Sequence, residues 1–271
     1  MVSSEQRRKQ LAREKYERYL RRREAARRKA RIRNGVIAVG VVLVLAAGGA
    51  YAASGGLNGD KEKKDEAAPK APDPSATSKA PDPCDKPAKG KQNGKQWKKE
   101  PAMAVDKSAS YTMELSTTCG DIPIELDAAE APHTVNSFAF LAGEKFFDHT
   151  PCHRLTDLPE PQPLHVLQCG SPDGNPAGGP GYKFDDENLK GATYPAGTVA
   201  MANSGPDTNG SQFFLVYEDS KLPPRYTPFG KISASGMKVL KKIAKAGVAS
   251  PQGDGMPNAT VVIDKATVRK S

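Results

Sequence analysis

Residues 109–271 are predicted to form a mainly β domain, a closed eight-stranded antiparallel barrel with two α-helices capping its open ends. Three observations carry this prediction. About eight short runs alternate apolar and polar residues with period two. Two further segments show the three-to-four-residue spacing of a helix that buries one face. The 23 prolines and 25 glycines of the 271-residue chain are too many for a helical bundle. Roughly 160 residues is also enough chain for a self-standing core.

The elements follow in order. Residues 111–116 (YTMELS) and 121–126 (DIPIEL) are period-two runs joined by Thr117-Thr118-Cys119-Gly120, a hairpin signal. Pro132 then opens a helix that is apolar at Val135, Phe138, Phe140 and Leu141 and stops at Gly143. Short strands are expected at 152–156, 164–168, 197–202, 212–217 and 227–232. A second helix over 236–246 places Met237, Leu240, Ile243 and Ala244 on one face and ends at Gly247. Residues 261–268 alternate as the last strand.

Charge divides the chain. Residues 1–34 hold 14 Lys/Arg against 4 Glu, so the rest, with 26 bases and 27 acids, is nearly neutral although the whole chain is +9. A nucleic-acid-binding body is therefore not expected, because neutralising phosphates needs a basic folded face. Residues 35–53, GVIAVGVVLVLAAGGAYAA, carry no charge and at about 1.5 Å per residue span roughly 28 Å, one hydrocarbon core. They are read as a transmembrane helix and signal anchor, single-pass in the cell membrane. The basic tail, residues 1–34, stays cytoplasmic and everything after the span is extracytoplasmic. Ala50-Tyr51-Ala52 also fits a small-x-small cleavage site, but the basic region before it is far longer than in a cleaved signal. Glu14/Arg18, Glu17/Arg21 and Glu24/Arg28 stand at i,i+4, as in a charged helix that anionic lipid attracts. Residues 54–108, rich in Lys, Pro, Asp, Ala and Gly, have little apolar surface to bury and are expected to be a flexible, disordered linker. Trp97, alone among lysines, reads as a docking contact or an accident, not a site.

Four cysteines follow the apolar span, in a compartment that permits disulfides. Cys84, Cys119, Cys152 and Cys169 allow three connectivities, and spacing alone leaves all three open. Cys152 and Cys169 flank a hairpin signal and are placed to face each other, which leaves Cys84 to hold the linker to Cys119. With no Cys-x-x-Cys, a metal knuckle or thiol oxidoreductase centre has no support.

Three segments carry the functional signal. Residues 146–155 read FFDHTPCHRL. Residues 166–170, VLQCG, precede a Gly-rich run at 178–188, GGPGYKFDDEN. Residues 201–214 read MANSGPDTNGSQFF. Strand parity relates them: if Leu167 and Phe213 fill the barrel, then Val166, Gln168, Gln212 and Phe214 lie outside. An outward phenylalanine beside two glutamines and an arginine makes a shallow apolar pocket rimmed by donors, the shape a proline ring and its flanking amides require. The glycine-rich stretch Gly174–Gly181 lacks the Lys-Ser/Thr end of a phosphate loop and reads as a turn. His133 and His149 have no metal-ligand partner at useful spacing, and His153, of opposite parity to Arg154, reads as a hydrogen-bonded structural histidine.

Over residues 109–269 these segments, in this order, resemble the cyclophilin family of peptidyl-prolyl isomerases; the 201–214 stretch is a long, family-specific match. The basic tail, anchor and linker are similar to those of actinobacterial membrane-anchored forms. The resemblance implies a cyclophilin-like barrel with its site on the outer wall. It also implies catalysis by Arg154, whose guanidinium donates to the prolyl nitrogen. Phe214 then floors the proline pocket and Gln168 orients Arg154 and touches substrate. Asn203 and Gln212 bind substrate backbone, Leu222 and Tyr226 line the far edge, and Val166, His165 and Ala202 complete the wall. No cofactor or metal is implied. The expected partners are Pro-containing polypeptides and, through residues 35–53, the membrane; a monomer is expected.

Departures qualify the match. Thirteen residues separate Arg154 from Gln168 where the familiar form has seven, and the extra 157–163, DLPEPQP, is an acidic, proline-rich loop. His165 and Val166 stand where the family usually has phenylalanine and methionine, which makes the wall smaller and more polar. Lys221 takes the place of the tryptophan linked to tight cyclosporin binding. The expected activity is therefore isomerisation of X-Pro bonds in exported proteins. The rival is a weakly active cyclophilin-fold module that binds Pro-containing segments of a partner.

Overall fold

The computed structural model describes residues 82–271. The basic tail, the apolar span 35–53 and linker residues 54–81 lie outside the described residues. Among the described residues no helix is long and apolar enough to cross a membrane.

The alternating runs become strands because one face of each has apolar side chains to bury. In the hairpin of β1 (Tyr111–Thr117) and β2 (Gly120–Leu126), Met113 pairs with Ile124 and Leu115 with Ile122. All four are buried, while Thr112 and Glu114 between them are half-buried. The chain continues through β3 (Thr150–Pro151), β4 (Arg154–Leu158), β5 (Leu164–Cys169), β6 (Thr198–Met201), β7 (Phe213–Val216) and β8 (Pro228–Ile232) to β9 (Asp254–Gly255) and β10 (Val262–Lys270). All lie in one antiparallel sheet of order β3-β10-β1-β2-β8-β6-β7-β5-β4-β9.

This corrects the expected closed barrel of eight strands. Eight of the ten strands are those the alternation marked. β3 and β9 have two residues each, too few to show a period, and no ladder joins these two end strands. The sheet is nevertheless curled. β3 is at one end and β4 next to the other, yet only Cys152 and His153 separate them in sequence; three Cα steps reach at most about 11 Å. The inner face holds the main core, in which the Phe138 ring lies 4.5 Å from Phe229, 5.3 Å from Phe147 and 5.4 Å from Phe213.

Helix α1 (Pro132–Gly143) starts with proline in its first turn and has no side-chain cap from Ala131. Its free N–H groups are met instead by the distant Glu187 carboxylate, which accepts from the backbone of His133 at 3.1 Å and Thr134 at 2.9 Å. A negative charge is favoured there, at the positive end of the helix. Helix α2 (Ala234–Lys245) is capped by Ser233, whose Oγ accepts from Gly236 N at 3.1 Å, and buries Leu240 and Ile243. Gly236 permits its close approach to the sheet, since a Cβ there would stand 2.9 Å from Ile232 Cγ2.

Residues 82–108 differ from the flexible linker expected of them: they run along the domain as a strap. Cys84 is bonded to Cys119. The Trp97 ring packs 5.1 Å from Phe140 and 6.0 Å from Phe146. Asn136 donates to the carbonyls of Pro101 and Ala102 and accepts from Ala104 N–H, and Glu100 meets His133 at 2.6 Å. A few specific anchors, not an apolar period, order this polar segment.

Candidate active site

Strand register builds the site. Arg154 stands opposite Gln168, Gln168 opposite Phe214, and Phe214 opposite Ala200, a row across β4, β5, β7 and β6 with about 4.8 Å between neighbours. Alternation then sorts the faces. Leu167 and Phe213 belong to the main core, whereas Val166, Ala200, Phe214 and Val216 form a second apolar cluster with Tyr194. Leu164, Ala192, Ala202, Leu222 and Tyr226 pack on that cluster. The Tyr226 ring meets Phe214 edge-on at 5.6 Å.

A chain of hydrogen bonds crosses the same wall. Arg154 Nε and Nη2 donate to the two carboxylate oxygens of Asp254 at 2.7 and 2.8 Å, and Nη1 donates to Gln168 Oε1 at 3.1 Å. Gln168 Nε2 donates to Gln212 Oε1 at 2.9 Å, and Gln212 Nε2 donates to the carbonyls of Pro176 and Gly178 at 2.9 and 2.8 Å. A paired, bidentate guanidinium is held in one plane. Three of its five N–H groups are engaged, which leaves two for a ligand. The Asp254 hydrogen bond raises the Arg154 pKa, and Arg154 in turn holds the Asp254 carboxyl below its ordinary range. The side chain of Arg154 remains 37% exposed, so the group is fixed yet reachable.

Arg154, Gln168, Gln212, Val166, Phe214, Ala202, Leu222 and Tyr226 thus share one wall. Asn203 lies beside Gln168 and Gln212 on an adjoining groove, but its side-chain amide donates to Arg225 O at 2.8 Å. His165 does not join them. It projects from β5 on the opposite side to Val166, its ring 5.6 Å from Tyr217 and its Nδ1 3.2 Å from Asp157 Oδ1. The wall assignment made for it is corrected by the same two-residue period that placed its neighbours. His153 also differs from expectation. Neither ring nitrogen has a partner among the described residues, and burial, then Arg154, lowers its pKa.

Two contributors escape sequence reasoning. Asp254 lies 100 residues from Arg154 in a Gly-Asp-Gly stretch that reads as a turn. Tyr194, 2% exposed, floors the apolar cluster and braces the far loop, its hydroxyl donating to Tyr226 O at 2.9 Å and accepting from Tyr226 N–H at 3.1 Å. Its only sequence signal is an aromatic residue ahead of Pro195. The second disulfide, Cys152 to Cys169, ties the strand ends that carry Arg154 and Gln168.

Residues 112–268 match the family model described as cyclophilin type peptidyl-prolyl cis-trans isomerase/CLD. A probable peptidyl-prolyl cis-trans isomerase B of Mycobacterium leprae is 52% identical over 168 residues, covering 58% of this chain and 56% of that protein. The chain thus spans little more than half the length of this relative. Peptidyl-prolyl cis-trans isomerase B of Streptomyces anulatus is 40% identical over 173 residues, covering 57% of this chain and 94% of that protein. Among solved structures, a cyclophilin type peptidyl-prolyl cis-trans isomerase of Cryptosporidium parvum superposes with a TM-score of 0.50 at 25% identity, covering 60% of this chain and 99% of that one. The ten-stranded curled sheet with its two helices is a cyclophilin-like fold, and the chain belongs to the cyclophilin type peptidyl-prolyl cis-trans isomerase family.

Proposed function

We propose that this chain catalyses cis/trans rotation of X-Pro bonds in exported polypeptides, tethered to the outer face of the membrane by residues 35–53. One observation carries the catalytic part: a guanidinium with two free N–H groups, clamped by Asp254 and Gln168, stands two strands from an apolar cluster centred on Phe214. Rotation about the prolyl amide is opposed by C–N double-bond character worth roughly 18–20 kcal/mol. A donor aimed at the prolyl nitrogen competes for its lone pair and weakens that resonance. Arg154 supplies this donor with a charge that never titrates near neutrality. Phe214, Val166, Leu222 and Tyr226 take the ring, while Gln212, Gln168 and the backbone near Asn203 hold the flanking amides. Catalysis is stabilisation of the twisted amide by a preorganised donor, with no nucleophile or proton relay.

A second reading, a module that holds Pro-containing segments with little turnover, draws on the burial of the pocket. Phe214 is only 5% exposed, with the Tyr226 ring edge-on against it, which leaves a proline ring little apolar surface to cover. A protease-coupled prolyl tetrapeptide assay with the full chain separates the two. Isomerisation well above the uncatalysed rate supports the enzyme; none from folded protein leaves the binding module.

A further inference from the structure

We propose that the 82–108 strap is part of the substrate site, and that Gln96 is a specificity-determining residue favouring an acidic or carboxamide side chain close to the proline. This rests on the isomerase reading above and deepens it. A groove of about 560 Å³ adjoins the site and shares Gln168, Gln212 and Ala202 with it; Gln96 from the strap supplies part of its wall.

The seat of the strap is shaped for it. Trp97 N–H donates to Pro180 O at 2.8 Å and Gln96 Nε2 donates to Gly179 O at 3.1 Å. Gly181 has φ +91°, and a Cβ there would come within 2.7 Å of Trp97 O. A side chain at this point would therefore lift the strap. The same loop presents the Pro176 and Gly178 carbonyls to Gln212, which bonds Gln168, which bonds Arg154. One loop separates the strap from the guanidinium network.

The lining names the ligand chemistry. Lys183 is the only charged side chain on the groove, and among the described residues it has no carboxylate partner. Gln96, Asn203, Ser204 and Thr208 add polar side chains beside the shared Gln168 and Gln212. Lys183 Nζ and the second amide N–H of Gln96, whose first donates to Gly179 O, can donate to a carboxylate or carboxamide here. An ammonium meets Lys183, and an aliphatic chain leaves these groups unpaired.

The test uses the full chain and peptides Xaa-Ala-Pro-Phe and Ala-Xaa-Pro-Phe, with Xaa as Glu, Gln, Lys or Leu. Exchange is followed by NMR at low ionic strength, where charge effects are least screened. The readout is the ratio of kcat/KM for Glu over Lys, which is independent of the folded fraction because both rates come from one preparation. The wild type is expected to favour Glu about fivefold or more at one of the two positions, and Gln over Leu at the same position. Gln96→Glu, which sets a carboxylate on the wall, is expected to lower the Glu/Lys ratio about fivefold. Gln92→Glu, the same charge on the strap away from the groove, is expected to leave it unchanged. A wild-type ratio near one, a ratio Gln96→Glu does not move, or an equal shift from both substitutions overturns the assignment of Gln96 while isomerisation persists. No exchange of any peptide overturns the isomerase reading as well.

Discussion

The proposed mechanism rests on Arg154, whose guanidinium Asp254 holds through two hydrogen bonds. Removing the carboxylate in Asp254→Ala frees the fork to turn between rotamers; kcat/KM is expected to fall about tenfold. The melting temperature should barely move, because this partly exposed pair contributes at most about 1 kcal/mol. Asp254→Asn, which keeps one acceptor, should fall between the two. Arg154 lowers the Asp254 pKa, so the contribution of the clamp is full above the ordinary carboxylate range and is lost only as pH falls through the lowered value. A kcat/KM profile flat from neutral pH down into the ordinary carboxylate range is expected; a decline well above that range would contradict the pairing. His153 has the same sign for a different cause. Burial, then Arg154, lowers its pKa, so the unfolded chain takes up this proton first, and stability drops as pH falls below the ordinary imidazole value. Urea midpoints between about pH 7 and about pH 5 should fall more in the wild type than in His153→Gln. The outward residues of β5 and β7 were legible from parity alone. Asp254 and Tyr194 were not, because each acts across the fold from a stretch with no period of its own.

At the scale of elements, the eight longer strands and both helices were legible because each carries its own pattern: period two in β1 and β2, a buried stripe in α2. The strap was not. Its composition is that of a disordered chain, and its order comes from a disulfide, one aromatic ring and scattered hydrogen bonds that no sequence window shows. Cys84 and Cys119 close a loop of 35 residues, for which chain entropy gives about 4 kcal/mol of stabilisation. Cys84→Ser with Cys119→Ser is therefore expected to lower the urea stability by several kcal/mol. An unchanged midpoint would show that the strap does not depend on its bridge. The acidic, proline-rich 157–163 loop is tied at its base by Lys221 N–H to Pro163 O at 2.8 Å and at its tip by Lys221 Nζ to Glu160 at 2.8 Å. It thereby adjoins the segment that carries Leu222, at the far edge of the pocket. Both charged groups are more than 60% exposed, so the tip pair itself adds little stability.

For the whole molecule, the charge asymmetry and the apolar span 35–53 support the proposal that the isomerase domain lies outside the cell. After carbonate extraction of cell membranes, the full chain is expected in the pellet, with the domain open to protease added to spheroplasts and the basic tail protected. Recovery in the soluble cytosolic fraction would contradict the tether. The measurement that bears most directly on the central claim is NMR exchange of one prolyl tetrapeptide with the wild-type chain, Arg154→Ala and Arg154→Lys. With melting temperatures matched, the exchange rate is expected to fall about a hundredfold or more in Arg154→Ala. Arg154→Lys should recover little of it, since an ammonium cannot keep the bidentate hold on Asp254 and still present a fixed donor. An Arg154→Ala rate within about threefold of wild type would show that the guanidinium does not carry the reaction.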